Sequence, residues 1–79
     1  MGNDVFPFRG IPEKQFRILI ELSSIRSEKI INALRDHLVR GESRRIVCER
    51  YNANQGYLSI CLARLLRVYH LVSILKNYY

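Results

Sequence analysis

Arginine is the residue type in this sequence whose placement most clearly suggests a chemical role. Ten of the thirteen basic residues are Arg, and Arg44-Arg45 and Arg64 with Arg67 flank a patterned segment of the chain. A guanidinium suits bidentate contacts to phosphate and to guanine, although it also suits contacts between proteins. These residues therefore indicate a polyanion or an acidic protein surface as the partner.

The basic charge is concentrated in the second half of the chain. Residues 1–42 carry seven Lys or Arg and six Asp or Glu, a net charge of +1, whereas residues 43–79 carry six basic residues against Glu49 alone, a net charge of +5. Such clustering on one unit is typical of nucleic-acid-binding proteins. A basic but merely soluble surface is the alternative.

The sequence does not indicate an enzyme. No Ser/His/Asp set, paired carboxylates or Gly-rich phosphate loop is visible, and 79 residues give too small a core for an elaborate enclosed active site. Cys48, Cys61, His37 and His70 are too far apart for paired metal ligands, and we expect both thiols to be small buried hydrophobes. We therefore expect no cofactor, metal or small-molecule substrate.

The hydrophobic spacing predicts an all-α fold, a small four-helix domain with a long C-terminal helix that projects from it. The first helix follows Pro12 and runs to Ile25, the second is capped by Ser27 and ends by Gly41, the third runs from Glu42-Ser43 to about Tyr51, and the fourth runs from Asn54 to about Asn77. Residues 1–11 are predicted to be a flexible arm, and residues 12–79 the helical domain.

Between about residues 43 and 66 the pattern predicts a helix-turn-helix. Inward-facing residues recur at helical spacing on both sides of Asn52-Ala53-Asn54. In that corner, Asn52 tolerates a left-handed backbone and Asn54 is a good N-cap. A four-helix domain that never contacts DNA can use the same corner, so the prediction of DNA binding also depends on the flanking charge.

If this unit binds DNA, its outward-facing residues supply the contacts. Arg44 and Arg45 begin a helix and are the best candidates for phosphate contacts. Gln, Ser and Arg can bond base edges, and Gly56 would permit close approach of a backbone. Tyr51 and Tyr57 are expected to be core aromatics rather than base-stacking platforms. The candidate DNA-binding residues are Arg44, Arg45, Asn54, Gln55, Gly56, Ser59, Arg64 and Arg67.

The last helix carries a second apolar stripe, formed by Ile60, Leu71 and Ile74, roughly opposite its main apolar face. A helix that is apolar on two sides must bury both. We expect the second stripe to meet another subunit, with packing under Phe6 and Phe8 of the arm as the alternative. A membrane span is not expected, because Arg64 and Arg67 lie within the segment. No signal peptide precedes the domain, so a cytoplasmic protein is expected.

With these residues in view, the chain resembles the adhesin biosynthesis transcription regulators of enterobacteria, the PapB-like fimbrial regulators. The residues that carry the resemblance are Ser24-Ile25, Ser27, Leu34-x-Asp36-x-Leu38-Val39-x-Gly41, Ser43-Arg44, Val47-Cys48-Glu49-x-Tyr51, Gly56-Tyr57-x-Ser59, Leu62-x-Arg64-Leu65-x-Arg67 and Tyr78-Tyr79. They cover residues 24–79, whereas residues 1–15 match poorly. Ile60 and Cys61 depart from the pattern.

The resemblance implies a bacterial cytoplasmic regulator of fimbrial or adhesin operons that binds A/T-rich repeats as a multimer. It gives weight to Arg44, Cys48, Gly56, Ser59 and Arg64, and it implicates the minor groove. We therefore expect a non-enzymatic transcription regulator that binds double-stranded A/T-rich operator DNA as an oligomer. A helical protein–protein interaction module without DNA binding is the main alternative, and a membrane-surface role for the basic C-terminal helix is a weaker one.

Overall fold

In the computed structural model, which describes residues 10–78, the chain folds into four α-helices with no strand among those residues. This confirms the predicted all-α, four-helix fold. The helices are α1 (Glu13–Ser23), α2 (Glu28–Leu38), α3 (Arg44–Tyr51) and α4 (Gln55–Leu75), followed by a 3-10 turn, Lys76–Tyr78.

Three of the four helices begin at the side-chain caps that the sequence predicts. The Ser27 hydroxyl accepts a hydrogen bond from Ile30 N–H and the Ser43 hydroxyl accepts one from Ile46 N–H. The Asn54 side chain does the same for Tyr57 N–H. Each cap satisfies one of the N–H groups that a helix leaves unpaired at its start. The starts of α2, α3 and α4 are therefore determined by residues that lie close to each start in the sequence.

The ends of the helices differ from the expectation by a few residues. α1 ends at Ser23 rather than Ile25, because Ser24 adopts a left-handed backbone with φ of 63°. Ile25 turns into the core from the connection that follows. α2 ends at Leu38, and Gly41 lies in the next connection with φ of 78°. Glycine adopts this conformation at little cost.

The core lies where α4 packs against each of the other three helices. Its fully buried side chains include Phe16, Leu34, Leu58 and Leu65. Ile11 also belongs to the core, and its backbone N–H donates to the Leu38 carbonyl at 3.2 Å. Residues 1–9 of the predicted arm lie outside the described residues.

The first half of α4 packs in the core of the domain, and its second half projects beyond the core. At about 1.5 Å per residue its length is about 31 Å. The buried residues, Leu58, Cys61, Leu62 and Leu65, all lie in its first half. By length and composition, Gln55–Tyr78 would suffice to cross a membrane, with a mean hydropathy of 1.6. Burial in the domain core accounts for the apolar character of its first half, whereas its second half exposes apolar side chains.

Candidate nucleic-acid interface

The corner between α3 and α4 has the geometry that the sequence predicts. Asn52 is left-handed, with φ of 54°. Its N–H donates to the Glu49 carbonyl and the Ala53 N–H donates to the Cys48 carbonyl. These two bonds are those of a Schellman motif, which ends a helix sharply. Asn54 then caps α4, so the two helices are joined by three residues.

The first predicted contact residue bridges the two helices. Arg44, in the first turn of α3, donates from Nη1 to the Ser59 hydroxyl of α4 at 3.2 Å. Both residues belong to the predicted DNA-binding set, and they lie 15 positions apart in sequence. A guanidinium carries five N–H donors, so the bond to Ser59 does not by itself exhaust it. The structure thus brings Arg44 and Ser59 together at one surface.

The other predicted arginines are exposed but do not all face the same way. Successive residues are about 100° apart around a helix, so Arg67 lies about 80° and Arg64 about 140° around α4 from Ser59. Neither forms an ion pair with any residue between 10 and 78. Arg45 Nε lies 3.8 Å from Glu49 Oε2, one turn further along α3, and both side chains are more than 70% exposed. Such pairs are weak and exchange readily for other partners.

The start of α4 has structural roles as well as exposed polar groups. The Asn54 Oδ1 atom accepts from Tyr57 N–H at 2.9 Å. A Cβ atom placed on Gly56 would lie 3.1 Å from this oxygen, closer than carbon and oxygen usually approach. The absence of a side chain at Gly56 therefore leaves room for the cap. Gln55 is exposed beside them.

A cluster of polar side chains that the sequence analysis did not identify holds α3 against α2. Asp36 is 5% exposed, and its carboxylate accepts from Arg50 Nη1 at 2.7 Å and from the Tyr51 hydroxyl at 2.8 Å. Arg50 also pairs with Glu42, in the connection between α2 and α3. Arg50 is therefore engaged within the molecule. We name Asp36, Glu42, Arg50 and Tyr51 the α2–α3 clamp.

The clamp shifts the pKa values of its members. Burial acts to raise the pKa of Asp36, but the bonds from Tyr51 and Arg50 and the charges of Arg40 and Arg50 outweigh it and lower the pKa. The same carboxylate raises the pKa of Tyr51, and Glu42 together with Asp36 raises that of Arg50. The Asp36 carboxylate is thus held charged, and it joins α2 to α3 through its bonds from Arg50 and Tyr51.

The α3–α4 corner has a further contact with α2. Lys29 Nζ, in the first turn of α2, donates to the Asn52 carbonyl at 3.1 Å. No sequence signal marked this bond, because it joins residues 23 positions apart through a backbone atom. It places a cation beside the corner that begins α4.

The two cysteines are buried, as the sequence predicts, and neither is in a disulfide. Burial raises the pKa of the Cys48 thiol, although the charge of Arg44 opposes the shift. A protonated thiol is a poor nucleophile and a poor metal ligand, so Cys48 contributes packing beneath Arg44.

The two tyrosines predicted to be core aromatics differ in the structure. Tyr51 is half-buried and bonded to Asp36. Tyr57 is 49% exposed, so the prediction of a core role is wrong for this residue. It lies in the first turn of α4, where the neighbouring Leu58 is the side chain that is buried in the core.

The residues predicted to meet another subunit are all exposed. Ile60, Leu71 and Ile74 are 58%, 55% and 55% exposed, and helical spacing places them within about 60° of one another on α4. Arg67 lies between Ile60 and Leu71 in sequence, seven residues after the first and four before the second. The predicted apolar stripe therefore contains one of the predicted DNA-binding arginines.

Comparison with known proteins identifies the family. The profile of the adhesin biosynthesis transcription regulatory proteins, PapB, matches residues 7–79. The chain belongs to the PapB family. Membership confirms a regulator of transcription and the prediction of a protein that is not an enzyme. It also extends the resemblance toward the N-terminus, beyond the residues that first indicated it.

Named relatives in the PapB family are regulators of pilus and adhesin operons from Escherichia coli. The major pilus subunit operon regulatory protein PapB is 48% identical over 89% of this chain and 67% of its own length. Regulatory protein FanB is 46% identical over 77% of this chain and 66% of its own length. The chain thus spans about two thirds of these relatives.

A solved structure from the same group has the same fold. The crystal structure of Escherichia coli FocB superposes with a TM-score of 0.86 and 46% identity, over 94% of this chain and 84% of FocB. The four-helix fold described above is therefore shared with FocB over most of this chain.

Proposed function

We propose that residues 12–79 form a DNA-binding domain that regulates adhesin or fimbrial genes by binding double-stranded operator DNA in the cytoplasm. The bond between Arg44 and Ser59 is the observation that carries this proposal. It joins the start of α3 to the second turn of α4, so two helices present polar and cationic groups at one surface. Phosphate contacts from such groups supply much of the affinity of DNA-binding proteins.

In this proposal the predicted residues divide by role. Arg44 and Arg45 contact phosphates beside the start of α3. Gln55, Gly56 and Ser59 form the part of α4 that approaches the duplex, with Asn54 fixing its first turn. Arg67 and Arg64 lie about 80° and about 140° around α4 from Ser59, so they add cationic groups beside this surface rather than on it. Glu49 is the only acidic residue after position 43, so little negative charge opposes a polyanion.

The proposal includes preference for A/T-rich repeats and binding as an oligomer. A domain this small makes few phosphate contacts, so linking several protomers on neighbouring sites would raise the effective concentration at each one. The exposed stripe of Ile60, Leu71 and Ile74 supplies a surface for that association. Arg can enter the narrow minor groove of A/T-rich DNA, which would explain the preference.

Fluorescence anisotropy with two labelled duplexes, one A/T-rich and one G/C-rich, tests the proposal at two salt concentrations. We expect tighter binding to the A/T-rich duplex and weaker binding to both at the higher salt concentration. Light scattering after size-exclusion, with and without the A/T-rich duplex, measures the number of protomers bound.

The rival function is a helical protein-interaction module. The exposed apolar tail of α4 favours it, since a partner helix could cover Leu71 and Ile74 without any DNA. No anisotropy change with either duplex at low salt would contradict DNA binding and support this rival.

A further inference from the structure

A cleft separate from the α3–α4 surface opens between α1 and α2. Its volume is about 690 Å³, and none of the residues that line it belongs to α3 or α4. Volumes of about 300–1,000 Å³ are usual for small-molecule sites. Apolar side chains from α1, from α2 and from their connection form its floor: Phe16, Ile20, Ile25 and Ile31.

An oriented guanidinium lies over this floor. Arg35 Nε donates to Glu13 Oε2 at 3.0 Å and Nη1 donates to Asn32 Oδ1 at 3.0 Å. Its Cζ atom lies 5.4 Å from the centre of the Phe16 ring, within the range of a cation–π contact. Three contacts therefore fix the guanidinium at the cleft before any ligand arrives.

The fixed guanidinium has hydrogen-bonding capacity left. Arg carries five N–H donors, and within residues 10–78 only two of those of Arg35 are used. Among the described residues, the unused donors include both N–H groups of Nη2. A carboxylate can accept from the two Nη atoms in a parallel pair, the strong geometry of Arg recognition.

The remaining charges around the cleft favour an anion. Arg17 and Arg26 also line it, against Glu21 alone. Arg26 makes no ion pair with any residue that the structure describes, and Arg17 reaches Glu13 only at 3.9 Å with its side chain 73% exposed. An incoming carboxylate thus meets two weakly engaged cations and the preoriented Arg35, which already pairs with the Glu13 carboxylate through Nε.

We propose that the α1–α2 cleft binds a small amphipathic carboxylate, with its apolar body on the half-buried Ile20 and Ile31 and its carboxylate on Arg35. The apolar floor supplies affinity in proportion to the area that the ligand removes from water. The positive charges of Arg35 and Arg26 make binding depend on a negative charge in the ligand. This site is independent of DNA binding and of the surface proposed for it.

The probe for this proposal is 2-naphthoate, compared with 2-naphthamide and with acetate. Titration of the ¹⁵N-labelled chain, followed by NMR, gives both the location and the dissociation constant. We expect amide shifts concentrated between residues 16 and 35. We also expect binding of the amide to be about tenfold weaker, as for loss of one charged hydrogen-bonded pair, and no saturable binding of acetate.

Two variants and a matched control separate the cleft from general charge. Arg35→Lys keeps the charge but removes the paired donors, and we expect about tenfold weaker binding of 2-naphthoate. Arg26→Gln, on an exposed connection, leaves the packing intact and should weaken binding about threefold, as for a partly screened charge. Lys14→Gln, an exposed cation of α1 outside the cleft, should have no effect.

The proposal is overturned if 2-naphthoate and 2-naphthamide bind equally, if the shifts map to α4, or if both arginine variants bind as the unchanged chain does.

Discussion

Arg44 is the residue through which α3 contacts the exposed side of α4. Its guanidinium bonds to Ser59 and lies close enough to the Cys48 thiol to offset part of the rise in pKa that burial causes. One side chain therefore has a packing role and a position at the proposed interface. A test of Arg44 must separate these two contributions.

Arg44→Ala should weaken binding to A/T-rich and G/C-rich duplexes alike, because a phosphate contact carries no sequence information. The slope of log K against log salt should flatten by about one unit. Anisotropy titrations at several salt concentrations measure the slope. Arg17→Ala, which removes an exposed cation from α1 instead, is the matched control and should leave the slope unchanged. An unaltered slope for Arg44→Ala would remove it from the phosphate role.

The stability of the folded state depends on pH through the carboxyl group of Asp36. Because folding lowers its pKa, the folded state keeps the carboxylate charged where the unfolded chain begins to take up a proton. The stability that this supplies is fully present above the ordinary value of 3.8 and is lost as the pH falls through the lower pKa of the folded state.

Asp36→Asn should lower the free energy of unfolding at pH 7 by about 2 kcal/mol, the scale of hydrogen bonds to a charged group. It should also flatten the decline in stability below about pH 4, since the titrating group is gone. Urea unfolding at pH 7, 5, 4 and 3, followed by circular dichroism, measures both effects. Equal acid sensitivity in the two proteins would show that Asp36 is not the group responsible.

Among the helices, α4 begins with a side-chain cap, Asn54, whose structural role must be separated from any contact with DNA. The Asn54 side chain bonds to Tyr57 N–H, and the missing side chain of Gly56 leaves space for it. Both residues also belong to the predicted DNA-binding set, so stability and affinity must be measured together.

Asn54→Ser retains a capping hydroxyl and should keep both stability and DNA affinity close to those of the unchanged chain. Asn54→Ala loses the cap and should cost about 1 kcal/mol of stability. Urea unfolding and anisotropy at a temperature where all three proteins are folded give the comparison. A stable Asn54→Ser protein with much weaker DNA binding would instead assign a base or phosphate contact to the amide.

The starts of the helices were predictable because their signals are local. Ser27, Ser43 and Asn54 act on N–H groups three residues away, and Asn52 sets its own backbone. The α2–α3 clamp was not predictable, since Asp36 and Arg50 lie 14 positions apart and meet only after α2 and α3 have packed. The same limit applies to the bond between Arg44 and Ser59. The sequence predicted both residues as DNA contacts but did not predict their bond.

At the scale of the whole molecule, the core ends before the last helix does. Leu65 is the last buried residue of α4, and ten more helical residues follow it. Leu71, Val72, Ile74 and Leu75 in this tail are each at least 40% exposed. Exposed apolar surface of this kind typically marks a site of association, and the oligomer proposed above would cover it.

Ile74→Gln should shift the protein toward smaller assemblies and make DNA binding less steep in protein concentration, because it places a polar group in the predicted stripe. Val72→Gln, at a side chain that is 40% exposed and lies about 160° around the helix from Ile74, is the control and should leave both unchanged. Light scattering and the steepness of anisotropy curves measure the two effects. Identical behaviour of the two variants would contradict a role in association for the stripe formed by Ile60, Leu71 and Ile74.

Because α4 runs without a break from the capped corner to Leu75, the tail has no hinge relative to Ser59. A single residue inserted after Val68, the last residue of α4 that packs against the core, would rotate everything beyond it by about 100° and advance it by about 1.5 Å, leaving the core and Arg44 untouched. If neighbouring protomers meet through the tail, helical phase dictates how one bound domain is oriented to the next, and with it the separation of operator repeats that an array can occupy.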